Sequence, residues 1–211
     1  MSYIIAGLGN PGAEYENTRH NTGRIILEMI RAEYSKEPFS FNKKINALTA
    51  EAKIGNEKVL LVAPETFMNL SGKSVAPIVK TKSAKIQVGE KKISIKAADD
   101  FLVIYDDFQL PIGRMKISYN KSSGGHNGLE SVIKSIKTEA FPRLRIGTAA
   151  AKKSGEAKIP RGDDVIEKFI LGKFKDEEMK ELKKVAKKAI EVVALWVKEG
   201  RDRATNLANT E

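Results

Sequence analysis

Residues 3–12 read Tyr3-Ile4-Ile5-Ala6-Gly7-Leu8-Gly9-Asn10-Pro11-Gly12, a short apolar run that breaks into a glycine, asparagine and proline turn. That pattern predicts a short buried strand. Ile25, Ile26, Met29 and Ile30 then recur at helical spacing, with Asn21 or Thr22 available as the cap. Segments 47–54 and 58–63 flank Gly55-Asn56 as a hairpin whose second strand, Val59 to Val62, is buried. Further strands are expected at 101–105, 115–118 and 144–148, and a helix over 127–137 through Leu129, Val132, Ile133 and Ile136. A long helix over 176–199 carries Met179, Leu182, Ala186, Ala189, Val193, Trp196 and Val197 on one stripe and stops at Gly200. Strands interleaved with helices imply an α/β fold: one domain over 1–211, with a mixed, twisted sheet and helices on both faces in three layers.

At 211 residues the chain is long enough to bury a core without stapling, and it has no cysteine, which excludes a disulfide scaffold, a thiolate metal site and a cysteine nucleophile. No apolar run approaches the roughly 20 residues of a membrane span, and the start lacks a basic region before a long apolar stretch. A cytoplasmic protein without membrane association is expected. The net charge is +10, and residues 121–175 concentrate it with 12 Lys/Arg against 6 Asp/Glu, whereas 176–211 balance at 8 of each. Such a field suits polyanions, though solvated surface lysines give the same sum. Residues 80–100 read as a lysine-rich hairpin insertion about Gly89-Glu90, its lysines either guarding an edge or adding a nucleic-acid contact.

Several familiar motifs fail on inspection. Gly7 to Gly12 has the form G-x-G-x-x-G, but Pro11 offers no N–H to a pyrophosphate, and no acidic residue ends a second strand at the expected distance. Gly72-Lys73-Ser74 imitates a phosphate loop, yet Phe67 stands where the upstream glycine belongs. There is no G-x-S-x-G elbow. No run of histidines and carboxylates at ligand spacing suggests a metal. The signal lies in the two histidines, His20 and His126, each in an asparagine-bearing box, Thr18-Arg19-His20-Asn21 and Gly124-Gly125-His126-Asn127-Gly128. Histidine takes a proton near neutrality without tuning. Asp106 follows the run Phe101 to Tyr105 at a strand's C-terminal end, where open α/β sheets place their crevice, and alternation sends Asp107 to the other side. With the turn amides of Asn10, Asn69 and Asn127, one base and one acid suggest acyl-ester chemistry with water as nucleophile.

These boxes resemble bacterial-type peptidyl-tRNA hydrolases along nearly the whole chain. The matching segments are IIAGLGNPGAEYENTRHNTG (4–23), PETFMNLSGKSV (64–75), LVIYDDFQLPIG (102–113), SSGGHNGLESVI (122–133), FPRLRIG (141–147) and ATNLANT (204–210). The resemblance implies His20 as catalytic base, Asp106 as its orienting carboxylate, and Asn69 as holder of the reacting water and carbonyl. It implies that Asn10 distinguishes a blocked amino group, and that Asn127 and His126 line the path of the peptide and terminal adenosine. Tyr15, Phe67 and Met68 would line the same crevice, and Lys116, Arg143 and Arg145 would meet acceptor-stem phosphates, although Arg145 on a strand could equally be structural. The implied partner is peptidyl-tRNA, through its 3′ CCA end and acceptor stem, with no cofactor, no obligate protein partner and a monomeric enzyme. Ser118 departs from the family where a second lysine is common, Gln109 replaces an aspartate, and residues 148–153 lack the usual glycine and proline. The alternative is a catalytically inactive RNA-binding module of the same fold.

Overall fold

A computed structural model describes residues 2–80, 82–88 and 91–210. The chain opens with β1 (Ser2–Gly7), whose turn leads through two short 3-10 turns into α1 (Thr22–Tyr34). Next come β2 (Ser40–Asn42), β3 (Ala47–Ile54), β4 (Glu57–Pro64) and α2 (Ser71–Val75). β5 (Lys82–Val88) and β6 (Lys91–Ala97) pair antiparallel as a separate two-stranded sheet. The expected turn at Gly89-Glu90, and the role given to the lysine side chains from 82 to 96, lie outside the described residues. β7 (Phe101–Pro111), β8 (Met115–Tyr119), α3 (Asn127–Ile136) and β9 (Pro142–Ala149) follow, then α4 (Asp163–Leu171), α5 (Asp176–Glu199) and α6 (Arg201–Asn209).

The mixed sheet that the interleaved pattern predicts has seven strands, in the order β2-β3-β4-β1-β7-β9-β8. β1 lies parallel to β4 and β7, and β7 parallel to β9, while the pairs toward both edges are antiparallel. Because successive strand residues point to opposite faces, two cores result. Ile5, Leu61, Leu102 and Ile104 pack with Ile26, Leu27 and Ile30 of α1 and with Leu182, Ala186, Val193 and Trp196 of α5. Ala6, Val62, Val103 and Tyr105 pack on the other side with Leu129, Val132 and Ile136 of α3 and Val75 of α2. The edge strand β8 is closed by a side chain. Asn209 Oδ1 accepts from Ile117 N–H at 2.8 Å while its Nδ2 donates to Ile117 O at 3.3 Å, blunting an otherwise open ladder.

Two local features position the site. A Cβ on Gly23 would collide with Ile104 O and the Leu8 backbone, so glycine lets the start of α1 lie directly on the sheet. This sets the turn before α1 over β7. Strand β7 runs to Pro111, well beyond the Tyr105 limit expected from sequence. Its pairing with β1 ends at Gly7–Ile104, and its register with β9 shifts after Asp107. Asp106 therefore sits inside an extended segment, just past the point where β1 has left the sheet.

Candidate active site

The turns after β1 and β4, the 3-10 turn before α1, strand β7 and the start of α3 converge on a crevice of about 700 Å³. Asn10, Tyr15, His20, Phe67, Met68, Asn69, Asp106, His126 and Asn127 all line it, so most of the sequence-predicted residues come together. His20 and Asp106 are buried at 5% and 2% exposure. Phe67 is 58% exposed, presenting its ring to whatever enters.

Asp106 stands between the two imidazoles. His20 Nδ1 lies 3.0 Å from Oδ1 and 3.1 Å from Oδ2, and His126 Nε2 lies 3.0 Å from Oδ1. The protons can be assigned from the surrounding bonds. His126 is the N-cap of α3, and its Nδ1 accepts from Leu129 N–H at 3.1 Å. The proton of neutral His126 is therefore on Nε2, donated to Asp106. His20 likewise donates from Nδ1, which leaves the lone pair on Nε2 of a ring that lines the crevice. Burial alone would raise the Asp106 carboxyl, but both imidazoles reverse this and hold it well below the usual carboxylate range. Burial likewise opposes the His20 imidazolium, yet the charge and hydrogen bond of Asp106 outweigh it and raise the His20 pKa. The Tyr105 ring meets His126 edge-on at 4.8 Å, and burial pushes its phenol up to about 12, so it stays neutral.

His20, Asp106 and His126 place ligand atoms within 4.8 Å of one another, a grouping with no counterpart in their spacing along the sequence. Three separate elements supply its members, the turn before α1, strand β7 and the start of α3. The set has the composition of a facial triad, but its donors do not fit one. With Nδ1 of His126 accepting a backbone N–H, Nε2 carries the proton and has no lone pair for a metal.

The three remaining predicted residues lie elsewhere. Lys116 is exposed and lines a different crevice. Arg143 is fully buried, its guanidinium over the Phe141 ring and donating to the carbonyls of Lys121, Ser122 and Glu139. The expectation of a phosphate contact at Arg143 is thereby overturned: this cation ties the loop after β8 to β9. Arg145 donates from Nε to Asp107 at 2.6 Å. Sequence reasoning offered Asn21 only as a helix cap, whereas its side chain bonds the backbone of Asn10, and it passed over the α4 wall of Ile166, Ile170 and Leu171. The i, i+4 spacing of Ile166 and Ile170 and the place of Asn21 beside His20 were the available signals.

An open α/β sheet with a buried carboxylate bonded to a histidine at a crevice has the arrangement of an enzyme site suited to proton transfer. Comparison with known proteins gives the particular family. The family model described as Peptidyl-tRNA hydrolase matches residues 4–211. The peptidyl-tRNA hydrolase of Desulfitobacterium hafniense is 39% identical over 206 residues, covering 98% of each chain. That of Aquifex aeolicus is 37% identical over 209 residues, covering 99% of this chain and 96% of its own. The crystal structure of peptidyl-tRNA hydrolase from Acinetobacter baumannii superposes with a TM-score of 0.81 at 28% identity, covering 99% of this chain and 94% of that one. The chain belongs to the peptidyl-tRNA hydrolase family.

Proposed function

We propose that the chain hydrolyses the ester joining a peptide, or an N-blocked amino acid, to the 3′-terminal ribose of tRNA, freeing the tRNA for reuse. The observation that carries this reading is the His20–Asp106 pair, which leaves a lone pair on His20 Nε2 in the crevice. Water beside His20 gives its proton to Nε2 as its oxygen attacks the ester carbonyl. Asp106 stabilises the imidazolium that forms. The tetrahedral intermediate then expels the ribose oxygen, which takes that proton back from the His20 imidazolium and leaves the ring neutral for the next turnover. Asn69 holds the water and carbonyl, and Asn127 with His126 lines the path of the peptide and terminal adenosine. Tyr15, Phe67 and Met68 offer flat or apolar surface for a base or side chain.

Asn10 supplies selectivity. Its Oδ1 accepts from Met68 N–H at 2.8 Å, so its NH2 is the polar end left for the crevice. A fixed donor there takes the carbonyl of an N-acyl group and disfavours a free ammonium. The CCA end occupies the crevice, and Lys116 meets the acceptor stem. The enzyme acts as a monomer in the cytoplasm; no helix among the described residues is long and apolar enough to cross a membrane.

The test is release of N-acetylamino acid from N-acetylaminoacyl-tRNA by the purified protein and its His20→Ala variant. General-base assistance is typically worth ~10²–10⁴ in rate, so the variant should lose at least about a hundredfold in kcat while binding persists. Binding without release by the wild type would favour the inactive RNA-binding module.

A further inference from the structure

A second crevice, of about 470 Å³, lies between the β7–β8 turn, α5 and the end of α6. Arg114 and Lys116 stand on one wall, and Lys184 and Lys188, one helical turn apart, on the other. Leu110, Met115, Val185 and Ala208 are its buried apolar residues. Glu181 is the carboxylate among its lining residues, paired with Lys184 at 2.7 Å. Such an exposed pair is weak enough to yield to a stronger anion. Lys188 donates to Thr210 O at 3.0 Å, which holds its ammonium at the C-terminal wall.

A path across β8 and β9 links the crevice to the catalytic one. Lys116 on β8 pairs in register with Arg145 on β9. Arg145 lines a hollow shared with Lys121, Asp106 and His126. Along β7, the distance from Asp106 to Leu110 is roughly 13 Å at the strand's usual rise. A ligand with its ester at His20 and a polyanionic body would meet Lys121 and Lys116 along this path, Arg145 being already paired with Asp107.

We infer that this crevice binds backbone phosphates of the tRNA substrate beyond the acceptor end, with Arg114, Lys184 and Lys188 as contacts. The inference rests on the hydrolase reading and extends it to the RNA body. The experiment uses Arg114→Gln/Lys184→Gln/Lys188→Gln and two substrates: N-acetylaminoacyl-tRNA, and the same ester on a CCA trinucleotide that has no stem. With tRNA, KM should rise about tenfold at moderate salt, and the slope of log KM against log salt should shrink by roughly 2 to 3. With the trinucleotide, turnover should match the wild type. An unchanged KM and slope on tRNA would overturn the proposal and leave the hydrolase reading intact. Equal losses on both substrates would also overturn it, because they place the effect at the catalytic crevice. If the wild type releases neither product, the hydrolase reading falls and direct tRNA binding decides: weaker, less salt-dependent binding by the triple variant supports the crevice, and equal binding removes it.

Discussion

Asn21 and Asn10 hold each other by two reciprocal hydrogen bonds: Asn10 N–H donates to Asn21 Oδ1 at 2.8 Å, and Asn21 Nδ2 donates to Asn10 O at 2.9 Å. Both residues are buried, and Asn21 lies one residue from His20. A side chain placed to cap α1 instead mimics a strand pairing and locks the turn that carries Asn10. His20 and Asn10 thus share one rigid joint.

Replacing Asn21 with alanine leaves both Asn10 backbone groups without this partner. The expected loss of stability is about 1–3 kcal/mol, the desolvation penalty of unpaired buried groups. Asn10 should then wander, so discrimination between N-acetylaminoacyl-tRNA and free aminoacyl-tRNA should fall more than kcat does. The ratio of kcat/KM for the two substrates is the measurement, and an unchanged ratio would separate the Asn21–Asn10 pair from selectivity.

The pH profile follows from Asp106. His20 must be neutral to accept a proton, and its pKa is raised. Activity should therefore fall on the acid side with a midpoint above the ordinary histidine value. In Asp106→Asn the attraction disappears while burial still penalises the imidazolium, so the limb should move to lower pH as the maximal rate drops. A limb that stays in place would assign it to another group.

His126→Asn should act in the opposite direction. Asparagine is a good N-cap, so α3 keeps its first-turn bond, but the donor to Asp106 is lost. The carboxylate then interacts more strongly with His20, and the acid limb should move upward while the melting temperature changes little. His126→Ala should in addition lose about 1 kcal/mol of capping. Profiles of kcat/KM against pH for both variants, with thermal melts, check this.

The strands and long helices were legible because apolar periodicity reports burial directly, as α5 illustrates with its stripe and its stop at Gly200. Charge was harder to read. Asp106 and Asp107 looked like the end of a strand, yet β7 continues through them, one aspartate satisfied by two imidazoles and the other by Arg145. Arg143 and Arg145 share a strand face by alternation, but depth is invisible to alternation, and the loop after β8 covers Arg143 alone. Helix α4 went unseen because it has no fully buried residue. In α6, Ala204 and Ala208 are the buried residues, a signal too small to stand out from polar sequence.

Arg19 shows how α4 is tied to the turn that carries His20. Its Nη1 donates to the carbonyls of Phe169, Gly172 and Lys173 at 3.2–3.4 Å, and its Nη2 meets both Glu178 oxygens at 3.0 and 2.7 Å. The guanidinium also lies 4.6 Å from the Phe169 ring centre. Glu178 in turn accepts from Lys175 N–H at the start of α5. One buried cation therefore joins the His20 turn, the C-terminal end of α4 and the cap of α5. Arg19→Met would take the cation away from Glu178, which keeps the Lys175 N–H, and the donor away from three carbonyls, at a cost of about 3 kcal/mol, with the double variant Arg19→Met/Glu178→Gln losing less than the sum of the single losses. Because Asp106 on β7 holds the His20 ring independently, the α4 wall should loosen before the base does. KM should accordingly rise severalfold while kcat stays within about twofold. Arg19→Lys, which cannot fork to Glu178 and the carbonyls together, should fall in between. Equal losses in kcat and kcat/KM would instead mean that Arg19 sets the geometry of His20 itself.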